Sequence, residues 1–161
     1  MLTKVSHPEG EQPWPPRLAH TGLNVTDLDR SLALYRDLLG FAVLAEGKED
    51  DRRWALLGES GGPPLVTLWQ QARGTYDSGR PGLHHLALAV DTVDRVRAYE
   101  TALRAAGTDF AHEGVVAHRE GGASGGIFFH DPDGIRVEIS APLGPEGAPA
   151  PYEAAPTCGF F

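Results

Sequence analysis

Two histidines, His20 in "RLAHTGLNV" and His85 in "LHHLALAV", stand 65 residues apart at the head of similar apolar runs. An imidazole recurring at the same place in two similar segments is the trace expected of ligands converging on one cavity. Alternation along a strand puts His85 on a face with Ala87 and Ala89, and His20 with Gly22 and Asn24, where small neighbours leave room. His84 is then expected on the opposite, packed face with Leu86, Leu88 and Val90. The plainer alternative is a pair of buried, hydrogen-bonded histidines. A third donor lies in "FFHDPDGIRVEIS", where Glu138 sits between Val137 and Ile139. A carboxylate buried there is costly unless it is paired or coordinated, and the alternative is that it faces solvent. His20, His85 and Glu138 make two imidazoles and one carboxylate, a set that leaves open positions on iron(II) or a similar divalent ion.

The elements that must carry these residues repeat in order. After "RLAHTGLNV" as a strand, "TDLDRSLALYRDLLG" has helical spacing at Leu28, Leu32, Tyr35 and Leu39, with Asp27 as N-cap and Gly40 as its stop. "FAVLAEG", "RRWALLGE" and "PLVTLWQ" follow as three short strands. The second half reads the same way: strand "LHHLALAV", helix "DTVDRVRAYETALRAAG" ended by Gly107, then strands in "FAHEGVVAH", "GGIFFHD" and "GIRVEIS". At the 65-residue offset Leu23 falls on Leu88, Asp29 on Asp94, Arg30 on Arg95 and Leu38 on Leu103. The chain therefore divides into an extended segment 1–16, a folded part 17–141 with modules at about 17–72 and 82–141, and a Pro/Ala-rich tail 142–161. The tail's composition reads as a loose terminus, the alternative being that Phe160 and Phe161 dock on a neighbouring molecule.

The paired modules, with "HTGLNVTDLDRSLALYRDLLGF", "HHLALAVDTVDRV" and "FFHDPDGIRVEI", resemble the vicinal oxygen chelate superfamily of glyoxalases, bleomycin-resistance proteins and extradiol dioxygenases. The resemblance implies an α+β fold of two tandem βαβββ modules whose curled mixed sheets form an open cavity, with a metal at its base on His20, His85 and Glu138. Glyoxalase I and methylmalonyl-CoA epimerase take a fourth ligand from the last strand of the first module; here that position is Thr67, with Gln71 two pleats on and Gln70 facing away. That departure turns the expectation to branches with three protein ligands, first an extradiol-dioxygenase-like oxygenase. A metal-dependent lyase, isomerase or thiol transferase, and a non-catalytic binding protein for an antibiotic or other small molecule, remain as alternatives.

The extradiol signature is partly present, with His118 ahead of the Asp131-Pro132-Asp133-Gly134 turn and Phe128 where a tyrosine is expected. His118 is accordingly a candidate acid–base group, or else a surface histidine beside "REGGASGG". Trp54, Thr67, Trp69 and Phe128 are the candidate substrate-binding residues, and "GGASGG" is either a flap or an ordinary hairpin loop. The cation would be iron(II) first, with manganese, nickel or zinc as alternatives, and the substrate a small molecule offering two neighbouring oxygens. The resemblance also implies a homodimer.

Composition narrows the partners. A chain of 161 residues with a net charge of -8 lacks the basic face a nucleic-acid backbone requires. No apolar run reaches membrane-spanning length, and the first twenty residues lack a signal-peptide core, so the expectation is a cytoplasmic protein without a membrane partner. Cys158 is the single cysteine, which rules out an internal disulfide and a multi-thiolate zinc site.

Overall fold

The computed structural model describes residues 15–159, so most of the 1–16 segment, and Phe160 and Phe161, lie outside the described residues. The first module runs β1 (Thr21–Val25), α1 (Leu28–Leu32, continued by a π-helical stretch Ala33–Leu38), β2 (Ala42–Glu49), β3 (Arg52–Gly58) and β4 (Pro64–Gln70). The second runs β5 (Leu86–Ala89), α2 (Val93–Ala105), β6 (Val116–Ala117), β7 (Gly125–His130) and β8 (Arg136–Ala141). Two separate four-stranded sheets result, ordered β1-β4-β3-β2 and β5-β8-β7-β6, each with one parallel pair and neither closed. This is the α+β arrangement of two βαβββ modules.

Local chemistry accounts for the elements. The Asp27 carboxylate accepts from the backbone N–H groups of Asp29 and Arg30 and so caps α1, a contact worth about 1 kcal/mol. The expected helix does not stay α-helical. Leu39 N–H donates to Leu34 C=O, a wider turn that buries Leu34 as well as the Tyr35 of the expected stripe. In β1 the buried residues are Leu23 and Val25, the alternation of a strand with one packed face. Buried residues from both modules form one continuous core, including Leu23, Leu57, Leu103 and Ile139.

Three expectations are corrected. Both first strands begin later than their apolar runs suggest, so His20 and His85 each stand one residue ahead of a ladder. Parity has no force outside a ladder, and His84 is consequently exposed rather than packed. The strand expected across Phe110–His118 is interrupted: Phe110 makes a lone bridge to Phe129, Gly114 takes a left-handed turn, and pairing resumes only at Val116. Finally, residues 142–159 are not loose, since Thr157 is buried and its N–H donates to His118 C=O at 2.9 Å.

The modules are tied by the Asp131–Gly134 turn between β7 and β8. Asp131 is buried, and its carboxylate accepts from the N–H groups of Asp133 and Ile135 and from the Tyr35 hydroxyl of the first module at 3.1 Å. Asp133 accepts from the Thr26 N–H and hydroxyl, and Arg30 donates to Pro132 C=O at 2.7 Å. Burial pushes the Asp131 carboxyl above the usual carboxylate range, opposed by these donors.

Asp131→Asn retains an acceptor for both N–H groups and is expected to unfold within about 1 kcal/mol of wild type, whereas Asp131→Ala orphans the donors and costs about 2–4 kcal/mol. Because the folded-state value is raised, ionisation of Asp131 removes stability as pH rises through the interval between the unfolded and folded values. The asparagine variant should therefore gain on wild type as pH rises above the ordinary carboxylate value, read in urea titrations at stepped pH. Equal losses for Asn and Ala would remove the turn-organising role.

Candidate metal and acid–base site

Glu138 lies on β8 opposite Ala87 of β5 and Phe128 of β7. Its carboxylate is buried and set between two imidazoles. Oε1 is 2.8 Å from His118 Nε2, and Oε2 is 3.5 Å from His85 Nε2. An ionised carboxylate can only accept, so His118 donates from Nε2, and its Nδ1 lies 2.9 Å from the Ser124 hydroxyl oxygen. His85 pairs through Nδ1 with Nδ1 of His84 at 2.9 Å, leaving its Nε2 toward the carboxylate. Burial lowers the His85 imidazole from its ordinary value, offset by Glu138 and reinforced by His84 and Arg136. A neutral imidazole beside a buried carboxylate fits a divalent cation in kind. In number it falls short: among the described residues no three His, Cys, Asp or Glu side chains converge as a metal cage. His20 precedes β1 on the other sheet and is exposed, so the structure brings together His85, Glu138 and His118, with His20 elsewhere.

The first module shows what stands where a second carboxylate would be. Gly22 pairs with Thr67 as Ala87 pairs with Glu138, so Thr67 occupies the register position of Glu138. Thr67 is buried and accepts from the Trp69 indole at 3.0 Å. Trp54 and Trp69 face each other across β3 and β4 with ring centroids 6.2 Å apart. Neither neighbouring glutamine supplies a donor beside Thr67. Gln70 accepts from the Leu28 N–H at the start of α1, and Gln71 donates to the Asn24 side chain.

Phe128 is fully buried beneath the second-module site, edge-on to His118 and His112. The "GGASGG" stretch is the β6–β7 hairpin, and Gly125 and Gly126 already belong to β7. A Cβ on Gly126 would fall 2.1 Å from Ile139 C=O, so only glycine allows that close approach of β7 to β8. A cleft of about 410 Å³ opens beside His118, bordered by Ala89, Asp91, Ser124, Ser140 and Pro142. Sequence reasoning missed Ser124, Arg136 and Thr157. Arg136 had a signal, since it shares strand parity with Glu138 in "GIRVEIS".

Comparisons with known proteins agree with the two-module fold. The family model described as Glyoxalase/Bleomycin resistance protein/Dioxygenase superfamily matches residues 17–139. A probable lactoylglutathione lyase from Vibrio parahaemolyticus serotype O3:K6 is 32% identical over 130 residues, covering 76% of this chain and 88% of that protein. A glyoxylase/bleomycin resistance protein/dioxygenase domain from Frankia sp. EAN1pec has a similar structure, with TM-score 0.66, 26% identity, and coverage of 80% of this chain and 98% of that one. The fold is also that of FosX, a fosfomycin resistance protein from Listeria monocytogenes solved with Mn(II), at TM-score 0.56 and 19% identity over 80% of this chain and 93% of that one. The curated relative is a lyase by name, so the oxygenase expected first from the sequence is not what the comparisons support. Built of two βαβββ modules and matched by a family model that spans both, the chain belongs to the glyoxalase/bleomycin resistance protein/dioxygenase superfamily.

Proposed function

We propose that this chain is a divalent-metal-dependent lyase or isomerase acting on a small substrate that presents two neighbouring oxygens. The observation that carries the reading is the buried Glu138 carboxylate divided between His85 and His118. His85 and Glu138 would hold the cation, with His20 as the third donor. When bound, the cation polarises the substrate's two oxygens and acidifies the adjoining proton. His118 takes that proton at Nδ1 once the Ser124 hydroxyl turns away, while its Nε2–H stays on Glu138, and it returns the proton to the substrate from the same nitrogen. The cleft beside His118 is the route of entry, and Phe128 supports the His118 ring from below. Trp54 and Trp69 furnish the apolar wall of the first module, with the Thr67 hydroxyl held against the Trp69 indole. Thr67 brings no carboxylate, so proton transfer falls to His118.

His20 joins the site in a homodimer, one copy supplying His20 and the other His85 and Glu138. Each histidine immediately precedes a strand at the free edge of its sheet, β1 or β5, which supports such a junction. Exposed Leu18, Leu65 and Trp69 on the first module provide apolar surface for it.

His85→Ala is expected to weaken binding of added Mn(II), Ni(II) or Zn(II) by on the order of 100-fold or more, and His84→Ala, which removes the partner of His85 Nδ1, by roughly tenfold. Equal losses, read by titration calorimetry, would sink His85 as the ligand. His20→Ala and His85→Ala should each lose the metal site, yet after co-refolding in equal amounts recover about a quarter of wild-type metal occupancy, because random pairing leaves one intact site in half of the dimers. A site built within one chain would recover none. Oxygen uptake with catechols after anaerobic iron(II) loading would return the assignment to an oxygenase.

A further inference from the structure

The segment Pro149–Gly159 lies beyond the stretch that matches the family model, yet it is built into the second module. It meets β6, a strand of two residues paired only with β7. Two ladder positions cannot hold an edge strand by themselves. The missing partners come from the tail. Ala117 N–H donates to Pro149 C=O at 3.0 Å, the Thr157 hydroxyl donates to Ala117 C=O, and Thr157 N–H donates to His118 C=O at 2.9 Å. The tail is held in turn by Arg136, two residues before Glu138 on β8 and almost wholly buried. Its guanidinium donates to the Thr157 and Gly159 carbonyls, bonds His112 Nε2 at 2.9 Å and lies 5.1 Å from the Phe128 ring centre.

We propose that Thr157 and Arg136 are positioning residues: they clamp the C-terminal segment as a strap along β6 and thereby hold the His118 ring against Glu138. His118 sits at the end of β6, where its N–H donates to Ser124 C=O and its C=O takes the Thr157 N–H. Both backbone groups are thus engaged, and from that backbone position the ring Nε2 lies 2.8 Å from Glu138 Oε1. Placement of the ring therefore depends on a segment some forty residues further along the chain. The value of the strap to a reaction rests on the reading of His118 as the proton carrier, but its effect on the ring can be measured without metal or substrate.

The experiment compares Thr157→Val, Thr157→Ser and Arg136→Met with wild type as full-length, metal-free protein, reading amide hydrogen exchange and the ¹⁵N signals of the histidine rings. Thr157→Val should speed exchange of the Ala117, His118 and Thr157 amides by roughly tenfold, as expected when one buried hydrogen bond is lost. It should also move the His118 ring signals away from their wild-type position. Thr157→Ser, which keeps the hydroxyl, should restore both, and Arg136→Met should reproduce the valine result with β3 and β4 amides unchanged. Wild-type His118 signals in Thr157→Val, or a uniform acceleration across both modules, would overturn the proposal; the latter would make Thr157 a residue of general stability alone. Metal titrations do not enter this readout, so loss of the metal assignment and loss of the strap are separate outcomes.

Discussion

Much of this molecule depends on two buried carboxylates in one four-residue turn. Asp131 folds the β7–β8 connection around itself by accepting from Asp133 and Ile135, and it also receives the Tyr35 hydroxyl from the first module. Asp133 takes the Thr26 donors at the junction of β1 and α1. Buried charge is tolerated only where donors surround it, and here the donors come from both halves of the chain. The turn therefore does two jobs: it sets where β8 begins, and with it the position of Glu138, and it docks one module on the other. The raised Asp131 carboxyl is the cost of that placement in a dry junction.

The internal duplication explains the site's asymmetry. Both modules pair their first and last strands in parallel with the same register, so Thr67 and Glu138 are the same position read twice. One copy keeps a carboxylate flanked by imidazoles; the other has a hydroxyl tethered to an indole beside a second tryptophan. Polar chemistry is thereby concentrated on the second module and apolar surface on the first.

The C-terminal segment shows how a family scaffold acquires further structure. Its residues pack onto an edge strand too short to stand by itself, and a buried arginine on the strand that carries Glu138 fastens them there. The carbonyls of Ala117 and His118 that this segment occupies would otherwise be open sheet-edge acceptors.

How far the sequence could be read follows from what each signal depends on. The module order, the α1 cap at Asp27 and the turn at Asp131–Gly134 were legible because they rest on local periodicity and turn chemistry. The duplication is legible in recurring residues and points to His85, while Glu138 stands out as a carboxylate between two apolar neighbours. His84 was misjudged because strand parity was extended past the end of the ladder, and ladder ends are decided by the partner strand rather than by the residues themselves. The break after Phe110 and the packed tail were hidden for the same reason, since Arg136 and Thr157 lie 21 positions apart and meet only after β8 has formed. By itself, then, the sequence determined the family, the two modules and the donor types, all properties of neighbouring residues. Only the tertiary structure decided that His118 rather than His20 lies beside Glu138 within one chain, because a contact between distant segments follows from how the sheets pack and not from spacing along the chain.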